Sequence, residues 1–152
     1  MSTYFPIFVN MEGKNIRVFG GGKIAARRVQ MLLAFGANVQ VTAPQITKKL
    51  EYLAQSQGKI VLHYRTFQPG ELAGEDFVLA ATDNEQVNDA IFRECRQKEI
   101  PVNVSSDKEK CDFYFPAIVQ EGNITIGITS GGRDHRRVAE MAKKIREWLL
   151  CR

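Results

Sequence analysis

Three consecutive glycines, Gly20-Gly21-Gly22, stand between a short apolar run, Asn15-Ile16-Arg17-Val18-Phe19, and a segment from Lys23 to Phe35. In that segment Ile24, Ala25, Val29, Leu32 and Leu33 recur at helical spacing, and Gly36 follows where a helix C-cap glycine belongs. A strand that ends in a glycine turn and opens directly into a helix leaves a chain few folds. The stretch Gly20-Gly21-Gly22-Lys23-Ile24-Ala25 fits the G-x-G-x-x-G/A pattern of dinucleotide-binding folds. There Gly20 allows the tight turn, Gly22 lets the backbone approach a diphosphate, and Ala25 lets the helix pack close to the strand. The N–H groups at the helix start then face the anionic phosphates. The plainer alternative is a tight strand–helix turn without a ligand.

The alternation continues. Val39 to Ala43 reads as a second strand stopped by Pro44, Ile46 to Gln57 as a short amphipathic helix, and Lys59 to Tyr64 as a third strand. After a turn-rich loop over residues 68–74, Phe77 to Ala81 is apolar at consecutive positions, as in a strand buried on both faces. Asn84 to Lys98 is helical in pattern, and Pro101 to Val104 is a fifth strand. Phe113 to Val119 and Ile124 to Ile128 then read as a hairpin around Gln120-Glu121-Gly122-Asn123, and Asp134 to Leu150 as a basic amphipathic helix. The expectation is an α/β, Rossmann-like, doubly wound and mostly parallel sheet with a C-terminal antiparallel hairpin and a final basic helix. Residues 1–132 would form the nucleotide-binding domain with its hairpin, and residues 133–152 would begin a helical region.

Composition narrows the class. With 152 residues, 44% hydrophobic and 25% charged, the chain can build one core and is not a disordered polymer. No apolar run nears the roughly 20 residues of a membrane helix, and the start lacks the pattern of a secretory leader. Cys95, Cys111 and Cys151 form no C-x-x-C pair, which favours free thiols in a reducing cytoplasm and no metal site. The net charge of +4 favours acidic ligands without implying nucleic acid.

The second strand ends Val41-Thr42-Ala43-Pro44, without the acidic residue that usually holds an adenosine ribose. Backbone groups, Thr42 or Gln45 would take that task. No arginine stands there for a 2′-phosphate, so NAD is favoured over NADP. Thr82 and Asp83 close the fourth strand at the same edge. Thr82 is placed to meet a cofactor, and Asp83 either borders it or caps the next helix.

Together these stretches resemble the precorrin-2 dehydrogenase family, the NAD-dependent module of siroheme synthases. The resemblance rests on Pro6-Ile7-Phe8, Val18 to Ala25, Gly36-Ala37, Ala80 to Asp83, Val102-Asn103-Val104, Phe113 to Ala117 and Ser130-Gly131-Gly132, in the family's order. It implies oxidation of precorrin-2 to sirohydrochlorin with hydride passed to NAD, and in some members iron insertion. It also implies a further helical region, a homodimer, and a NAD site lined by Lys23, Ile24, Pro44 and Gln45 beside Gly20, Gly21 and Gly22. Asn103, Ser130 and Gly131 would contact a tetrapyrrole rich in carboxylates. Arg133 and Arg136 would supply the cations for it, unless the Arg133 to Arg137 cluster is an ordinary solvated face.

Three departures bear on activity. Where the family has an aspartate after its Asn-Val strand, Asn103-Val104-Ser105-Ser106-Asp107 puts Ser106, with Asp107 next to it. Asp107 is therefore a substitute acid/base, or else a turn residue. Where the family continues Ser-Pro after its glycine pair, Arg133-Asp134-His135 stands instead, and His135 is a proton shuttle, a metal ligand or a surface residue. The chain also ends at Arg152, within or just after the first helix of the expected further region. A NAD- or tetrapyrrole-sensing module on the same fold is the alternative function.

Overall fold

The computed structural model describes residues 4–151. Asn15–Phe19 forms β1, Lys23–Ala34 α1, Asn38–Thr42 β2, Lys48–Ser56 α2 and Ile60–His63 β3. Phe77–Ala80 forms β4, Glu85–Gln97 α3 and Val102–Val104 β5. These five strands make one parallel sheet in the order β3-β2-β1-β4-β5. Central β1 is buried from Ile16 onward, with Val18 between Val41 and Leu79 and Phe19 between Thr42 and Ala80. The chain winds outward from β1 to β3, then returns to the far side of β1 for β4. Right-handed crossovers therefore place α1 and α2 on one face and α3 on the other. The resulting switch point lies where the carboxyl ends of β1 and β4 adjoin.

Local chemistry explains the element ends. Phe35 closes α1, and Gly36 takes φ +86° so that its N–H reaches Leu33 O and that of Ala37 reaches Leu32 O. These paired bonds satisfy the last carbonyls of the helix. Helix α2 starts at Lys48 rather than Ile46, because Thr47 is extended (φ −69°, ψ 149°) and stands at its N-cap. On α3 the cap is Asn84, whose side chain accepts the Val87 N–H, so the capping alternative for Asp83 does not hold.

The connection from β3 to β4 contains no helix. Leu72 from it is fully buried with Phe19, Val78, Ile91, Cys95 and Val102, each such apolar side chain contributing roughly 1.5–3 kcal/mol. Glu71 anchors the loop by pairing with Arg17 and, at 2.6 Å, with Arg65.

The chain divides between Phe113 and Tyr114 into two compact units. The first, Asn10–Phe113, holds the parallel sheet. The second contains the remaining described residues, with β6 (Ala117–Glu121), β7 (Ile124–Ile128) and α4 (His135–Leu150). The hairpin thus groups with α4, which packs on both of its strands and buries Ala142 there. Its first strand starts at Ala117, not Phe113: the Phe113 carbonyl accepts from Asn103, and Pro116 has no N–H to give a ladder. Its turn is two residues, Gly122-Asn123, with Gly122 at φ +53°, the left-handed geometry that tight hairpins require.

Candidate cofactor site

The three glycines of the first turn play three different parts. Gly20 sits at φ +120°, its N–H donates to Thr42 O, and a Cβ there would lie 2.1 Å from Ala81 O. It is the point where β1, β2 and β4 converge. Gly21 is buried against the loop after β2, where its carbonyl accepts the Thr47 N–H at 3.0 Å. Gly22 is exposed, and a Cβ on it would meet nothing within 4 Å. It is also the N-cap of α1, which has no side-chain cap and no acidic residue in its first turn. An uncapped helix start facing open space, at the carboxyl edge of the sheet, suits an anion. Ala25 is 1% exposed and lets α1 sit close to the sheet. The residues present therefore fit a diphosphate: space at Gly22, main-chain amides behind it, and no acidic side chain in the first turn of α1 to oppose it.

Lys23, Ile24, Pro44 and Gln45 are all exposed beside this turn. The two ribose alternatives separate. Gln45 is accessible, whereas Thr42 is 2% exposed and its hydroxyl is buried without a partner. Across the switch point Thr82 is only partly accessible, and Asn88 occupies its polar atoms. The Thr82 hydroxyl and N–H both donate to Asn88 Oδ1 (2.7 and 3.2 Å), and Asn88 Nδ2 donates back to Thr82 O (3.1 Å). Asn88, 1% exposed, fixes the end of β4, a role that sequence reasoning missed. Its signal was an amide on the apolar side of α3. Asp83 is exposed.

Beyond β5 the exposed Ser106 and the half-buried Asp107 border a cleft of about 130 Å³ together with Glu85, Asp89, Val104 and Lys110. Asp107 Oδ1 accepts the Glu109 N–H at 3.0 Å and caps the 3-10 turn over 108–110. That bond, and then the Lys110 ammonium, hold its carboxyl below its usual range. The expected acid/base is thus also a turn residue. A larger hollow, about 230 Å³, lies by Asn15, Asn38 and Lys59. It is at the amino ends of β1 to β3, away from the edge where open α/β sheets bind ligands.

Asn103 is buried, with 2% exposure, and its amide is fully engaged: Arg28 donates to Oδ1 at 2.7 Å, and Nδ2 donates to Phe113 O at 2.7 Å. Burial, then the neighbouring Arg27, pushes the Arg28 pKa down. In the second unit Ser130 Oγ accepts the Asp134 N–H at 2.8 Å, and Gly131 is buried at φ +65°. Asp134 caps α4 by accepting the Arg137 N–H. Arg133, His135 and Arg136 are exposed, and Arg136 lies 3.9 Å from Glu140.

A family model described as putative NAD(P)-binding matches residues 7–117. A siroheme synthase from Hydrogenovibrio crunogenus is 39% identical over 133 residues, 86% of this chain and 28% of its own length. One from Photorhabdus laumondii is 37% identical over 146 residues, 96% of this chain and 30% of its length. The chain therefore spans less than a third of these curated relatives. The solved structure of SirC, precorrin-2 dehydrogenase, shares the fold with a TM-score of 0.75 at 23% identity, covering 96% of this chain and 69% of that one. No helix of the described residues is long and apolar enough to cross a membrane.

Proposed function

The chain belongs to the putative NAD(P)-binding family, and on that premise we propose that it binds NAD at the glycine turn and oxidises precorrin-2 to sirohydrochlorin. The observation that carries the reading is the open space at Gly22 before an uncapped α1. The siroheme synthases similar to this chain support the choice of substrate. Main-chain amides of Gly22, Lys23 and Ile24 hold the diphosphate. Pro44 and Gln45 border the adenosine, with Gln45 rather than Thr42 reaching the ribose. Bound there, the nicotinamide supplies the hydride acceptor.

The chain's own residues then position and deprotonate. Thr82, locked by Asn88, shapes the floor, and Asp83 stands at its edge. Asp107, kept ionised, takes a proton that the macrocycle loses, with Ser106 beside it. Ser130, Gly131, Arg133 and Arg136 contact the carboxylate-bearing periphery. Asn103 serves by tying β5 to residue 113. The same reading makes the protein a cytoplasmic homodimer, to which the exposed Trp148 and Leu150 on α4 lend an apolar surface. Light scattering tests that state.

Incubation with precorrin-2 and NAD tests the reading: NADH absorbance should rise as sirohydrochlorin forms. A second reading, a non-catalytic sensor, is favoured by Ser106 at the family's aspartate position, and NAD binding without any NADH would select it. Conversion of sirohydrochlorin that requires iron but not NAD would replace both with a chelatase.

A further inference from the structure

The cleft beside Ser106 gathers three carboxylates, Glu85 and Asp89 from α3 and Asp107 from the loop after β5, around one ammonium. Lys110 Nζ lies 2.7 Å from Asp89 Oδ1 and 3.2 Å from Asp107 Oδ2. We propose that Lys110 and Asp89 are positioning residues: Asp89 fixes the ammonium, and the ammonium fixes the Asp107 carboxylate at the rim of the cleft. The proposal rests on the dehydrogenase reading, in which Asp107 receives the substrate proton.

Three features support it. Both Asp107 oxygens are committed, one to the Glu109 N–H and one to Lys110, so the carboxylate cannot turn freely. The lysine crosses from the 3-10 turn to α3, so it joins two elements instead of decorating one. Without it, Asp107 would face Asp89 and Glu85 across the same small hollow, and like charges at that range disfavour ionisation. Two other polar groups on its own turn have partners of their own. Lys108 lies 4.0 Å from Glu109, and the Cys111 thiol donates to the Asp107 carbonyl at 3.3 Å. Asp89 and Asp107 in turn push the Lys110 ammonium pKa up, which keeps the bridge charged at neutral pH.

The test compares wild type with K110M, K110R and D89N, using the carboxyl carbon resonance of Asp107 and the pH profile of turnover. In K110M the Asp107 titration should move to higher pH. Turnover on the acid side should fall roughly tenfold, part of the roughly 100- to 10,000-fold that a positioned base supplies. NAD affinity should stay unchanged. K110R should restore the wild-type titration, and D89N should fall between. Superimposable titrations and pH profiles in wild type and K110M would overturn the proposal. The resonance reports without turnover, so a protein with no dehydrogenase activity would overturn the functional reading while the titration still decides the role of Lys110.

Discussion

A Cβ placed on Gly21 would lie 2.1 Å from the Gln45 carbonyl oxygen, so the turn after β1 and the loop after β2 touch only because residue 21 is glycine. A Cβ on Gly20 would lie at the same distance from the Ala81 carbonyl oxygen, and Gly20 also has a positive φ of +120°. Gly21→Ala and Gly20→Ala should each cost roughly 1–3 kcal/mol, since backbone must move to admit the methyl. Gly22→Ala, facing open space, should cost less than about 1 kcal/mol. Urea denaturation of the three variants checks the order.

Gly22→Asp separates stability from binding. An aspartate at the N-cap of α1 gives the free amides a partner and should leave stability equal or a few tenths of a kcal/mol higher. The same carboxylate would occupy the diphosphate space, and NAD affinity should fall at least about 100-fold. Calorimetric titration alongside a thermal melt reads both quantities. Retained affinity would remove the site.

Asn103→Leu should lower stability by about 2 kcal/mol, because Arg28 and the Phe113 carbonyl each lose a buried partner. Affinity for NAD should hold. A raised KM for precorrin-2 at unchanged stability would instead make Asn103 a substrate contact.

Acid should weaken the first unit through Glu71. Burial alone would raise its carboxyl, but the Arg65 and Gln68 hydrogen bonds and the Arg17 charge outweigh it and hold the pKa below the usual 4.5. A depressed folded pKa means the stabilisation is present above 4.5 and disappears as pH falls through the lower folded value. Glu71→Gln should cost about 3 kcal/mol at neutral pH, because the buried Arg17 guanidinium loses its counter-charge while keeping a neutral partner in Gln40, and its stability should fall less steeply in acid. Denaturation curves across that range give both slopes.

Much of the sheet was legible because Gly20 to Ala25 and the flanking apolar runs are local signals. What failed was set by which side chain meets which partner in the folded chain. Asn103 reads as a ligand contact because an amide in an apolar strand suggests function, yet its use is decided by Arg28, 75 residues away. Phe113 to Pro116 looks like strand by side-chain type, but Phe113 turns its ring edge-on to Phe77 and gives its carbonyl to Asn103. Asp83 reads as a cap by residue type, yet the Asn84 side chain is the one that accepts the Val87 N–H. Asp107 was legible as a candidate, whereas its bridge through Lys110 to Asp89 depends on tertiary placement.

A ligand seated at the bare start of α1 would make the native fold responsive to that ligand's supply. Any solute that seats its anion there and ignores the unfolded chain draws the population toward the native form, by about 2.7 kcal/mol at a hundredfold excess over Kd. In a cell, resistance to proteolysis would then track the level of that solute, and melting curves across a panel of nucleotides would identify it before any reaction was assayed.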